Sequence, residues 1–313
     1  MAALSAGMGP LALGTDGGSS TRRPAAHTGL LGLKPSIGRI ARHHGLPPIL
    51  LDFEVVGLFA REAADLRLLA RATMGPDPHD HASRRDWPLI ELAPLAPPAL
   101  RILYVPRLGD APVDPVVADS VALAAQQLAD LGHRVEEGKF PLSLDGLHEF
   151  WPLFGQVGLA HLLRDAPDAA SRVAPRFLAM AEQGARVPAE RYLAALFWVD
   201  GFRRAMAEVY REVDLIMTPS AAALPWPAGI SHPPEIAGQS VGPRGHAVFT
   251  GWVNVCGHPG IGIPCAPSPT GLPIGFQLVG NFGADGLLLD LVHQYQQVHP
   301  WAHRWPAELE QEP

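Results

Sequence analysis

A glycine- and serine-rich segment near the start of the chain has the clearest potential for chemistry. Residues 14–24 read GTDGGSSTRRP. The adjacent glycines Gly17 and Gly18 allow backbone angles that other residues avoid, and such a turn can aim successive N–H groups into one concavity. Beside a serine hydroxyl, that concavity is an oxyanion hole. The alternatives are an anion-binding nest and an ordinary turn; no GK[ST] or GxGxxG motif supports nucleotide binding.

The elements that must position this segment are predicted to alternate between strands and helices. Asp114 suits a helix N-cap and Pro115 a first helical position, and Gly132 suits the end of that helix. Strands on either side of it make a strand–helix–strand unit, which favours an α/β fold. The predicted strands cover residues 11–14, 29–33, 101–105, 134–137, 215–218, 260–264 and 275–279, and the predicted helices cover 63–74, 115–131, 147–164, 189–213, 247–255 and 284–298.

Composition excludes several classes of function. The net charge is −7 and no basic stripe is present, which argues against nucleic-acid binding. No apolar run reaches the roughly 18 residues of a membrane helix. The two cysteines form no disulfide framework, which fits a cytoplasmic protein. No zinc or EF-hand spacing occurs, so neither a metal nor a cofactor is expected.

Segments along most of the chain resemble, in the same order, the amidase signature family of serine hydrolases. The resemblance implies a single domain over residues 1–313, with an α/β fold in which a mixed β-sheet core is flanked by α-helices on both faces. The implied parts are a signature block (1–80), a helical, variable pocket region (81–246) and a C-terminal core segment (247–305). The matching segments are residues 9–39, 52–61, 75–80, 214–220, 254–264 and 271–280.

The resemblance also implies roles for individual residues. Ser20 matches the family's nucleophile, which attacks an amide or ester carbonyl. Ser19 stands where the family usually has glycine, and serine tolerates positive φ less well. An Asp16–Arg22 pair would fix the loop; the alternative is a surface contact of little energetic value. The implied oxyanion amides are those of Gly17, Gly18 and Ser19, and the implied supporting network is Thr15, Asp16 and Arg22.

The family's proton relay is the part that the sequence does not match. In the family a bridging serine and a lysine precede the nucleophile, and both positions would fall before Met1, as in an N-terminally truncated member. Four explanations are open: a fragment of a longer protein, a base from a separate polypeptide, a substitute residue, or lost activity. His27 is the candidate substitute, because neutral imidazole accepts a proton near pH 7; the alternative is a packed or surface histidine.

These observations leave three hypotheses for function. The first is a hydrolase that cleaves small carboxamides or esters through a Ser20 acyl-enzyme, with Thr218 and Trp226 lining the substrate pocket. The second is a catalytically impaired remnant with a role in binding or assembly, and the third is an anion binder. An incomplete sheet would expose an edge and apolar surface, so we also expect a homo-oligomer.

Overall fold

The structure, a computed structural model, describes residues 1–43 and 49–306. Its strands are β1 (Leu11–Asp16), β2 (Leu31–Lys34), β3 (Val55–Ala60), β4 (Arg101–Tyr104), β5 (Arg134–Glu137), β6 (Leu215–Pro219), β7 (Glu235–Ile236), β8 (Gln239–Ser240), β9 (Gly260–Pro264) and β10 (Gly275–Gly280). Its helices are α1 (Ala2–Ser5), α2 (Arg22–Thr28), α3 (Ala63–Thr73), α4 (Pro115–Asp130), α5 (Asp145–Asp165), α6 (Pro175–Gly184), α7 (Ala189–Glu212), α8 (Gly251–Cys256) and α9 (Asp285–Val298).

A mixed eight-stranded sheet forms the centre of the fold, in the order β1-β3-β2-β9-β10-β6-β4-β5. Neighbours from β1 to β6 pair antiparallel, and β6–β4 and β4–β5 pair parallel. Helices α2 and α9 both contact β9 and β10. The two helices lie on opposite faces of the sheet. Gly262 pairs with Gln277 and faces α2, whereas Gly280, three residues beyond Gln277 on β10, points to the other face and meets α9. The predicted α/β fold is therefore confirmed.

The backbone of α2 packs directly against two glycines of the sheet, and this close contact fixes the loop that precedes the helix. A Cβ atom at Gly262 would lie 2.9 Å from the carbonyl oxygen of Arg22, and one at Gly32 would lie 2.8 Å from that of Thr21. Gly32 and Gly262 are partners across β2 and β9. Because the helix backbone approaches this closely, the start of α2 has little freedom relative to the sheet.

The N-cap of α4 was predictable, whereas several short elements were not. Asp114 caps α4 as predicted, accepting a hydrogen bond from the Val116 amide at 2.9 Å. The prediction for 247–255 was partly wrong: α8 begins only at Gly251, after a short 3₁₀ turn (Gly245–Ala247). The sequence-based prediction missed α2, α6 and β3. Within the described ranges, no helix is both long and apolar enough to cross a membrane.

Candidate active site

Ser20 lies in the short loop between β1 and α2. Its side chain is exposed, and its hydroxyl makes no hydrogen bond with any residue in the described ranges. The Arg23 amide donates to the Ser19 carbonyl at 3.3 Å and to the Ser19 hydroxyl at 3.2 Å. Ser20 therefore stands just before the first turn of α2, with its side chain at the surface.

The Asp16 carboxylate organises this loop from beneath. It accepts hydrogen bonds from the backbone amides of Ser19 at 2.6 Å, Gly18 at 3.2 Å and Thr21 at 3.1 Å. It also forms an ion pair with Arg22 at 3.2 Å, and both side chains are fully buried. A carboxylate with this many donors holds the backbone in one conformation.

Arg22 ties the loop to distant parts of the chain. Its Nη2 donates to Asn254 Oδ1 at 2.6 Å, and its Nη1 donates to Gln277 Oε1 at 3.0 Å. Asn254 in turn donates to the Asp16 carbonyl oxygen at 3.0 Å. Gln277 was not singled out from the sequence. The available signal was a polar residue within the otherwise apolar strand β10.

The charge state of Asp16 follows from these partners. Burial by itself raises the pKa of a carboxyl group, but the charge of Arg22 and hydrogen bonds from Arg22 and Asn254 outweigh it. The pKa of Asp16 is therefore held well below its usual range. The loop carries a permanently ionised carboxylate at neutral pH.

The backbone amides of the loop point in different directions. Those of Gly18 and Ser19 are turned towards Asp16, while those of Gly17 and Ser20 donate no hydrogen bond within the described part of the chain. Ser19 has φ of 94°, a conformation that strains a side chain other than glycine by roughly 1–3 kcal/mol. Thr15 lies in β1 opposite Val56, next to this loop.

His27 lies on α2, but not next to Ser20. Ser20 precedes α2, and the helical stretch from Arg22 to His27 alone rises roughly 7.5 Å. Its ring makes an edge contact with Trp226 at a centroid distance of 5.5 Å, and its buried Nε2 has no partner among the described residues. Burial, with the charge of Arg23, lowers the pKa of His27 to about 4. The structure thus does not bring His27 and Ser20 together.

The two residues predicted to line a pocket have different surroundings. Thr218 is fully buried; its hydroxyl accepts from Gln277 Nε2 at 2.8 Å and donates to the Pro219 carbonyl at 2.8 Å. It therefore supports the Arg22 network and lines no open surface, because β6 is covered on both faces. Trp226 is half-buried, with its ring between those of His27 and His246.

The stability of the fold should depend on these histidines at mildly acidic pH. Burial lowers the pKa of both His27 and His246 to about 4, from an ordinary 6.5. Between these two values the unfolded chain binds protons that the folded chain does not, so the free energy of unfolding falls as the pH falls. We expect His246→Gln to reduce this slope by up to about 1.4 kcal/mol per pH unit in urea titrations across the window. Identical slopes in the two proteins would contradict this assignment.

Comparison with known proteins gives a consistent picture. A family model described as Amidase matches residues 1–289. One component of the glutamyl-tRNA(Gln) amidotransferase of Synechococcus sp. (strain CC9605) is 32% identical over 323 residues, which cover 95% of this chain and 65% of that protein. The chain thus spans just under two thirds of that relative's length.

Solved structures resemble the fold closely. The structure of 6-aminohexanoate cyclic dimer hydrolase matches with a TM-score of 0.84 at 26% identity, covering 98% of this chain and 68% of that one. A bacterial aryl acylamidase of the amidase signature family matches with a TM-score of 0.85 at 23% identity, covering 100% of this chain and 66% of that one. At this identity the second likeness concerns the fold alone.

Proposed function

Because the chain belongs to the Amidase family, we propose that it is a serine hydrolase of small carboxamides and esters, with Ser20 as the nucleophile. The observation that carries the proposal is the placement of Ser20. Its exposed hydroxyl stands at the start of α2, on a loop held by the fully buried Asp16–Arg22 pair. Relatives whose names denote amide hydrolysis or amidotransfer favour chemistry at a C–N bond.

The proposed reaction proceeds through an acyl-enzyme. Ser20 Oγ bonds to the carbonyl carbon while its proton passes to a base, and the carbonyl oxygen becomes an oxyanion. Backbone amides of the loop donate to that oxyanion. The Gly17 amide donates to no residue in the described ranges and could donate to the oxyanion. The amides of Gly18 and Ser19 already donate to Asp16, so each would share its hydrogen between Asp16 and the oxyanion. Collapse expels the protonated leaving group, and water then releases the acid.

The reaction also needs a general base for Ser20. None of the described residues forms a hydrogen bond with Ser20 Oγ, so none of them is placed to act as that base. An amide needs its leaving nitrogen protonated, whereas a p-nitrophenolate leaves without help. General acid–base catalysis contributes roughly 10²–10⁴-fold. The lack of a described hydrogen-bond partner for Ser20 Oγ also favours the second candidate function, an impaired remnant that binds its ligand or a partner protein.

Self-association stays a prediction. The exposed side chains of Met8 and Leu13, at or near the edge strand β1, support it.

Hydrolysis of p-nitrophenyl acetate tests this proposal. We expect the wild-type chain to cleave it and to cleave p-nitroacetanilide at least 10²-fold more slowly, because only the amide requires a proton donor. Ser20→Ala should reduce ester cleavage to the background. Ser231→Ala is the matched control, since Ser231 is exposed and its hydroxyl lies 2.8 Å from His232 Nδ1. Equal ester rates for wild type and Ser20→Ala would exclude Ser20 as the nucleophile.

A further inference from the structure

The strand that leads into the Ser20 loop is an outermost strand of the sheet. Among the described strands, β1 pairs with β3 alone, through residues Leu11–Asp16. Apart from that ladder, no amide or carbonyl group of residues 11–15 forms a hydrogen bond within the described ranges. The outer side of β1 therefore presents a row of free donors and acceptors, which is a template for a further strand.

The two ends of the sheet differ in how well they are protected from such pairing. At the far end, β5 carries Arg134, Glu136 and Glu137 among its four residues, and charged side chains discourage edge-to-edge association. Residues 11–15 of β1 read LALGT and carry no charge. Leu13, in the middle of this run, is 57% exposed. β1 thus has the features of an edge that pairs, and β5 does not.

The occupant that fits this edge is the β1 strand of a second copy. A twofold axis perpendicular to the sheet keeps each face of β1 on the same face of the joined sheet, so the axis passes through a residue and not between two. An axis through Leu13 pairs the uncharged run with itself over its whole length and places Leu13 against its own counterpart. The remaining opposite pairs are Leu11 with Thr15 and Ala12 with Gly14. No like charges meet across these pairs, because none of the residues is charged.

We propose that two copies of the chain associate through β1, antiparallel about an axis at Leu13, so that their sheets form one continuous sheet. The pairing satisfies the free backbone groups of both strands and covers the exposed leucine with its counterpart. It also brings the second copy to the candidate active site. Asp16 would lie opposite Pro10 of that copy, and the Ser20 loop follows Asp16 directly. Met8, which is 82% exposed in a single copy, would then adjoin the loop of the other.

Crosslinking at the proposed axis tests this pairing. Leu13→Cys introduces a thiol opposite its own counterpart, where the two Cβ atoms would lie about 4.5–5.5 Å apart. The chain's own cysteines, Cys256 and Cys265, are buried. We expect a short bis-maleimide to convert most of the Leu13→Cys protein into a covalent dimer on a denaturing gel. Leu123→Cys is the matched control and should remain a single chain, since Leu123 is 49% exposed on α4, which contacts β5 at the far end of the sheet.

Light scattering measures the same association without a crosslinker. We expect the wild-type protein at micromolar concentration to have twice the 33.4 kDa mass of one chain. Leu13→Lys should have the mass of a single chain, because two like charges would face each other at the axis. Leu123→Lys should keep the wild-type mass.

The outcomes decide the proposal independently of the proposed function. A wild-type protein that is monomeric or larger than a dimer, or a dimer that survives Leu13→Lys, would overturn it. Equal crosslinking of Leu13→Cys and Leu123→Cys would overturn it as well, and this comparison decides the matter even if Leu13→Lys does not fold. A dimer with the predicted crosslink but without Ser20-dependent hydrolysis would leave this inference standing and remove the proposed function.

Discussion

Replacing Asp16 with alanine is expected to lower the free energy of unfolding by about 3–5 kcal/mol, because it leaves Arg22 buried without its counter-charge. Both side chains are fully buried. Three backbone amides in the loop would also lose their acceptor. Urea denaturation followed by tryptophan fluorescence measures the change, and the reactivity of Ser20 should fall with it, since the carboxylate holds the loop.

An exposed ion pair provides the control for this substitution. Glu208 pairs with Arg211 at 2.9 Å on α7, and the two side chains are 72% and 74% exposed. Glu208→Ala should change the free energy of unfolding by less than about 1 kcal/mol, because water screens such pairs. If Asp16→Ala were no more destabilising than Glu208→Ala, the loop would not depend on the buried pair.

The second large effect is expected at Gly262, where the sheet meets the backbone of α2. An alanine there would place its Cβ 2.9 Å from the Arg22 carbonyl oxygen and 3.2 Å from its Cα. Backbone atoms cannot rotate away as a side chain does, so the helix must shift. We expect Gly262→Ala to destabilise the fold by about 1–3 kcal/mol and to slow esterase activity by displacing Ser20.

A glycine without close neighbours makes the matched comparison. Gly201 lies within α7, and a Cβ there would meet nothing within 4 Å in the described part of the chain. Gly201→Ala should stabilise the protein by up to about 1 kcal/mol, since alanine is the better helix former. A Gly262→Ala protein as stable as Gly201→Ala would show that α2 is not held by close contact with the sheet.

The local features of the fold were predictable because their causes are local. The Asp114 cap and the loop around Gly17 and Gly18 depend on residues only a few positions apart. Helix α2 was missed because it has seven residues and includes Pro24, so no apolar period identifies it. The αL conformation of Gly29, with φ of 68°, ends that helix at once.

The interior of the site was less predictable because it is made by residues far apart in sequence. Arg22 meets Gln277 across 255 positions and Asn254 across 232. No local pattern specifies such pairs. The surroundings of Thr218 also depend on residues distant in sequence, since Gln277 faces it from the neighbouring strand β10 and donates to its hydroxyl.

The central claim is that Ser20 is the nucleophile, and covalent trapping tests it most directly. The protein is incubated with a fluorophosphonate, and its intact mass and its peptides are then measured. We predict one adduct per chain on the peptide that contains Ser20, and none on Ser20→Ala under the same conditions. An unmodified wild-type protein, or equal labelling of both proteins, would contradict the claim.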